Sequence, residues 1–222
     1  MNGVKRKIAD ERDLGADKFQ IGETYGEFLS GLTNEQLRVV REDLEYFKML
    51  YLNDALTNGK RAAVESSYIV IDTLLQTATS ELEGREITCK KGCGSCCHLH
   101  VDVTSHEAEV ILERCKEEGI AIDWLRVKKQ SRRNMDTWKN LRMNYRRCVF
   151  LSGDNQCKIY SFRPAKCRLM LSVDDPIKCK DYDGGHVQFF ARHAETVAIA
   201  IFNAVEGGTL AAELLKLKNK LT

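Results

Sequence analysis

Leu37, Val40, Leu44, Phe47 and Tyr51 recur at alternating three- and four-residue spacing, which places them on one face of a helix. Thr33 or Asn34 is positioned to cap it, and it is expected to run to about Asn53, short of the Asn58-Gly59 stop signal. Val64, Tyr68, Ile71, Leu74 and Leu75 make a second stripe, predicting a helix over about Ala62–Leu82 that ends at Gly84. The two would form a helical hairpin. Thr104-Ser105-His106-Glu107 has the form of a capping box, and Ala108, Ile111, Leu112 and Cys115 follow at helical spacing as far as Gly119. A further helical stretch is expected over about Trp124–Tyr145. Two short β-like runs, from Cys148 and from Cys157, flank Ser152–Gln156 as a hairpin signal. Phe190, Ala194, Val197, Ala198, Ile201 and Phe202 predict a last long helix over about Val187–Val205, broken by Gly207-Gly208 and followed by a short amphipathic tail.

The fold class expected is therefore mainly α: an N-terminal helical hairpin and a C-terminal helix around a loop-rich core with one short β-hairpin. Residues 1–30 are polar with scattered glycines and are expected to be flexible, and 31–222 to form a single domain. At 43% hydrophobic and 30% charged, 222 residues suffice for one real core. Lys and Arg number 34 against 32 Asp and Glu, a balance that gives no reason to invoke nucleic acid or an anionic membrane. The basic run Arg126, Lys128, Lys129, Arg132 and Arg133 is read accordingly as a solvated face. No run approaches the roughly 18 apolar residues of a membrane span, and the charged N-terminus is unlike a signal peptide, so the expected location is cytoplasmic.

Cysteine usage changes the picture. All nine cysteines lie between Cys89 and Cys179. A disulfide framework is not expected in a reducing cytosol, so a cluster there reads as metal or redox ligands. The first half is Cys89-x3-Cys93-x2-Cys96-Cys97, with Gly92 and Gly94 permitting tight reversals. Such spacing lets thiolates converge from one turn. Adjacent Cys96 and Cys97 diverge on an extended backbone and so suit two ions, or one ion and something else. The second half is Cys148, Cys157, Cys167 and Cys179, with Cys167 in the first turn of a helix that Pro164 starts. Eight thiolates complete two four-ligand sites. The ninth, Cys115, occupies an apolar helix position and reads as core.

Four thiolates around a divalent ion leave about −2 charge, from the ligand count. Arg163 and Arg168 are expected to compensate it beside the cofactor, although the position of Arg168 one residue beyond Cys167 also directs it elsewhere, to a carboxylate or a substrate; for Lys90, Lys91, Lys166 and Lys180 both readings stand. His98 and His100 follow the first cysteines but are not needed as ligands. His106 reads as a surface residue, and Asp181, Asp183, His186 and His193 as a solvated loop and helix start. No Ser–His–Asp arrangement, phosphate-binding loop or dinucleotide fingerprint is present.

The ordered set Cys89-x3-Cys93-x2-Cys96-Cys97, Val103-Thr104-x2-Glu107, Cys148-Val149-Phe150-Leu151 and Cys157-Lys158-Ile159-Tyr160-x2-Arg163-Pro164-x2-Cys167-Arg168 resembles the bacterial YkgJ-type cysteine-cluster family. The resemblance covers about Ile87–Lys180 and implies a zinc- or iron-chelating domain. Flagellin lysine N-methylases carry a similar cluster, which implies that the module can belong to an iron–sulfur enzyme. The chain is shorter than that whole enzyme, so methylation is not carried over. The resemblance favours an iron–sulfur cluster of the [4Fe–4S] type, with a second metal allowed, and zinc in a structural or protein-interaction module is the alternative. A protein or a small molecule is the partner expected; neither nucleic acid nor a membrane is.

Overall fold

A computed structural model of the protein describes residues 23–82, 86–90, 92–173, 178–180 and 189–220. Gly84, Lys91, Asp181, Asp183 and His186 lie outside them, as does Val187; the helix expected from there begins only at Arg192, after non-helical Phe189–Ala191.

Helix α1 (Glu23–Ser30) is followed by α2 (Asn34–Thr57) and α3 (Lys60–Ser80), which pack antiparallel as the expected hairpin. Thr33 caps α2 through a complete box with Gln36, so the local signal and the observed start agree. Helix α4 (Ser105–Glu117) starts on the Thr104–Glu107 box. Helix α8 (Ala165–Leu169), α9 (Arg192–Ala204) and α10 (Leu210–Lys220) complete the longer-range scaffold. The fold is mainly helical, and α2, α3 and α9 pack together over Tyr51, Val64, Ile71, Val197 and Ile201. A second apolar cluster joins α4 and α10 to Val149, Phe150, Ile159 and Phe162, the residues that flank the later cysteines. No described helix is long and apolar enough to cross a membrane.

Four details depart from the sequence reading. Residues 23–30 are helical rather than part of a flexible segment, because Tyr25 and Leu29 bury against α2 and α9 and the Tyr25 hydroxyl shares a 3.0 Å hydrogen bond with Thr196. The basic stretch is three short helices instead of one: α5 (Trp124–Gln130), α6 (Met135–Trp138) and α7 (Met143–Arg146). Asn134 restarts the chain by accepting from the Thr137 amide, and Gln130 folds its amide back to the carbonyls of Tyr145 and Arg147. The hairpin expected at 148–157 reduces to a single bridge between Leu151 and Cys157, since the Cys148 amide is spent on the Cys97 carbonyl at 2.7 Å. The two-stranded sheet lies elsewhere: β1 (Asp102–Thr104) pairs antiparallel with β2 (Gly207–Thr209), Val103 facing Gly208. Glycines have no side chain to show alternation, so that strand carries no periodic signal.

Glu195, on the first turn of α9, carries a pH dependence. Burial pushes its carboxyl up to about 7, against a smaller opposing pull from Lys166. A raised acid favours the protonated folded state, so its stabilising share is complete below about 4.5 and is lost as pH rises through 7. Glu195→Gln should therefore raise stability by about 1–3 kcal/mol at pH 8 and leave it nearly unchanged at pH 4.5, read from denaturant midpoints at the two pH values.

Candidate metal centre

Eight cysteines reach one place from six stretches of chain. Cys89 sits in a segment pinned to the stretch after α8: the Thr88 amide donates to the Ser172 carbonyl at 2.9 Å, and the Ser172 amide donates to the Cys89 sulfur at 3.2 Å. Gly92, at φ +88°, reverses the chain so that the Cys93 amide returns to the Lys90 carbonyl at 2.9 Å. Gly94 serves a different end from the reversal expected of it. A Cβ there would lie 3.0 Å from Leu151 Cδ1 and 3.1 Å from the Asn155 carbonyl, so its lack of a side chain lets the first cysteine loop close on the second. Cys96 and Cys97 open a single 3-10 turn, Cys96–His98. Cys148 and Cys157 border the Ser152–Gln156 turn, which Asn155 enters at φ 60°. Cys179 lies on the 3-10 turn Lys178–Lys180.

Cys167 is the third residue of α8, with Pro164 one position earlier than expected, at the cap. The start of this short helix is held by Glu107. One carboxylate oxygen accepts from the Ala165 amide at 2.8 Å and from the Tyr68 hydroxyl at 3.1 Å. The other accepts from the amide and hydroxyl of Thr104 at 2.9 and 3.2 Å. The capping box legible in the sequence thus does a second task, across 58 residues, that only the fold reveals.

All eight of these cysteines line one cavity of about 390 Å³, together with His98, His100, Trp138 and Arg163. Cys115 does not line it. That thiol is 2% exposed in the apolar cluster beneath α4 and α10, where burial pushes it up to about 11. Among the described residues, no three Cys, His, Asp or Glu side chains close on a single point at ion-binding distance; the eight cysteines are spread among the residues that line the cavity.

Burial and mutual crowding keep most of these thiols protonated in the absence of a cation. Cys148 is pushed up to about 12 by burial first, and Cys167 is raised strongly by burial, then by Cys148, Cys96 and Cys157. Cys97 donates to Cys96, which lowers Cys96 and raises its neighbour, and Arg163 lowers Cys96 further. The expected convergence of positive charge is met by Arg163 alone of the two arginines. Its guanidinium lies 4.0 Å above the Tyr160 ring, its Nε is buried without a hydrogen-bond partner, and it lines the cavity. Arg168 does not join it and takes the other course, facing a carboxylate. It is buried facing away from the cavity, ion-paired with Asp72, stacked 4.1 Å over Tyr68 and donating to the Arg163 and Ser161 carbonyls. A side chain one residue beyond a helical ligand points about 100° away, and a carboxylate was there to receive it. His106 is also not a plain surface residue: its Nδ1 meets the Tyr51 hydroxyl at 3.0 Å.

The donor set fits a soft or borderline metal. Thiolates suit zinc and iron–sulfur clusters alike, and an arginine with a free buried Nε–H offers a sulfur or an anionic centre both charge and a hydrogen bond. Arg163→Lys keeps the charge but loses the planar stack on Tyr160. It should lower stability by about 1–2 kcal/mol and shorten metal retention under chelator challenge, measured as metal per chain against time.

A mainly helical scaffold presenting eight cysteines to one cavity defines a cysteine-cluster protein whose donor set suits metal chelation. Residues 88–192 match the CxxCxxCC family, described as a "putative zinc- or iron-chelating domain". No curated protein and no solved structure matches the chain.

Proposed function

We propose that Cys89, Cys93, Cys96, Cys97, Cys148, Cys157, Cys167 and Cys179 hold an iron–sulfur centre, of the [4Fe–4S] type, with capacity for a second metal, in a protein of the reducing cytosol. The observation that carries this reading is the single cavity lined by all eight. A tetrahedral zinc site draws four sulfurs to about 2.3 Å from one ion and encloses no free space. A cavity of about 390 Å³ equals the volume of roughly a dozen waters at ~30 Å³ each and accommodates a polynuclear centre. Iron and sulfide would supply redox or Lewis-acid chemistry when bound. The chain's own part is to provide thiolates, to bury them and to place the Arg163 cation against them.

The test is metal, acid-labile sulfide and visible absorption on protein purified without oxygen. Iron and sulfide in similar amounts, with broad sulfur-to-iron charge-transfer absorption, are expected. Zinc without sulfide in that anaerobic sample would replace the reading with a structural zinc module. A folded sample containing neither metal would overturn metal binding altogether.

A further inference from the structure

Charge is segregated along this chain far more than its total suggests. Residues 124–147 hold nine Lys and Arg against one Asp, a net +8, whereas the whole chain is +2; the remainder is therefore −6. Elsewhere many basic side chains find carboxylates, among them Arg38 with Glu35, Lys60 with Glu109, Arg61 with Glu117, Arg114 with Glu118 and Lys216 with Glu213. In the basic segment, among the described residues, Arg126 alone does so, with Asp123 at 3.6 Å. Lys128, Lys129, Arg132, Lys139 and Arg142 are exposed and form no ion pair.

The fold gathers this charge into one surface. Gln130 ties α5 to the end of α7, Lys129 lies 4.1 Å over the Tyr145 ring, and the Trp138 indole donates to the His98 carbonyl at 2.9 Å. The three short helices are thereby fastened to the cysteine loop, and Gln130, Trp138, Lys139 and Arg146 form part of the cavity wall. Unneutralised like charges on helices held together repel one another, a cost that an opposite partner removes. Apolar groups stand among them: Leu125 is 69% exposed and Met143 43%.

We propose that α5–α7 form a docking face for an acidic partner protein, seated beside the cysteine cavity. Exposed Leu and Met set among arginines and lysines match the composition of a protein interface, in which apolar anchors are ringed by complementary charge. Nucleic acid fits less well, because a long polyanion would run off this short patch onto a body of net −6 charge. The inference holds whichever metal the cysteines bind.

The experiment uses the metal-loaded full chain and two fluorescent probes: a Glu-rich amphipathic peptide with Leu along one face, and a single-stranded RNA of equal charge. The peptide should bind more tightly than the RNA, with affinity falling as salt rises. The triple variant K128E/K129E/R132E should weaken it at least about tenfold, a loss that its neutral counterpart K128Q/K129Q/R132Q reproduces in part. L125S/M143S should weaken the peptide about threefold or more while leaving its salt dependence unchanged. Metal content and melting temperature of each variant, measured alongside, separate a lost docking face from a lost metal centre. RNA bound as tightly as the peptide would overturn the proposal in favour of a general polyanion surface. Failure of both probes on fully metal-loaded protein would leave the patch a solvated face. Indifference to L125S/M143S would remove the protein-interface claim.

Discussion

Glu107→Ala should lose about 3–5 kcal/mol of stability and, with it, the ability to retain metal, although Glu107 does not line the cysteine cavity. The side chain is 1% exposed and accepts from four donors. Alanine leaves two buried backbone amides, Thr104 and Ala165, without acceptors, and removes the return half of the α4 capping box together with the support at the start of α8. The second of those helices carries Cys167. Metal content after gel filtration should fall in step with stability, and the ligand most affected should be the one on α8. Glu107→Gln sharpens the test: it retains the volume but turns one acceptor oxygen into a donor that faces an N–H. It should fall between wild type and alanine. A Glu107→Ala protein with unchanged melting and unchanged metal would refute the coupling of α4 to the cysteine site.

Cys148→Ala should abolish stable metal loading, while Cys115→Ala should leave it intact. Both thiols border the same apolar cluster, so simple loss of packing predicts similar effects for the two. Ligation predicts a contrast. Cys148 lines the cavity among Cys96, Cys97, Cys157 and Cys167, and its amide is locked to Cys97. Removing it deletes one of a set that must deprotonate together around a cation. Cys115 contributes volume only, and its truncation should cost about 1–2 kcal/mol through the small cavity left behind. Metal analysis of the two variants, purified side by side under nitrogen, decides the matter: equal metal loss in both would mean that Cys115 had been misplaced outside the site.

What could be read from the sequence was local. The boxes at Thr33 and Thr104 mark helix starts within three residues of themselves, and the starts fall there. The cysteine spacing, with Arg163-Pro164, leads to a family on residues that lie close together in the chain. What escaped reading was non-local. Helix α1 offers a stripe too short to count, and Tyr25 finds Thr196 across 171 residues. Arg168 looked like a cluster cation because Asp72, its actual partner, lies 96 residues away. The β1–β2 pair was hidden because two glycines and a threonine have no alternation to show. The charge of the basic stretch was visible, but its division into three helices depended on Asn134 and Gln130 making hydrogen bonds that compete with a continuous helix.

The order of elements along the chain gives the cysteine site influence over helices that supply it no cysteine. Helices α2 and α3 come before the cysteines and α9 after them, so assembling the three requires residues 81–191 to close as a loop. Closure entropy grows as (3/2)RT ln n with loop length. A metal centre holding Cys89 and Cys179 together short-circuits most of that loop and returns about 1–2 kcal/mol to helices that contribute no ligand. A metal centre of the proposed kind would thus act as a long-range splint, and the thermodynamics of its loading and of bundle assembly would be one coupled equilibrium.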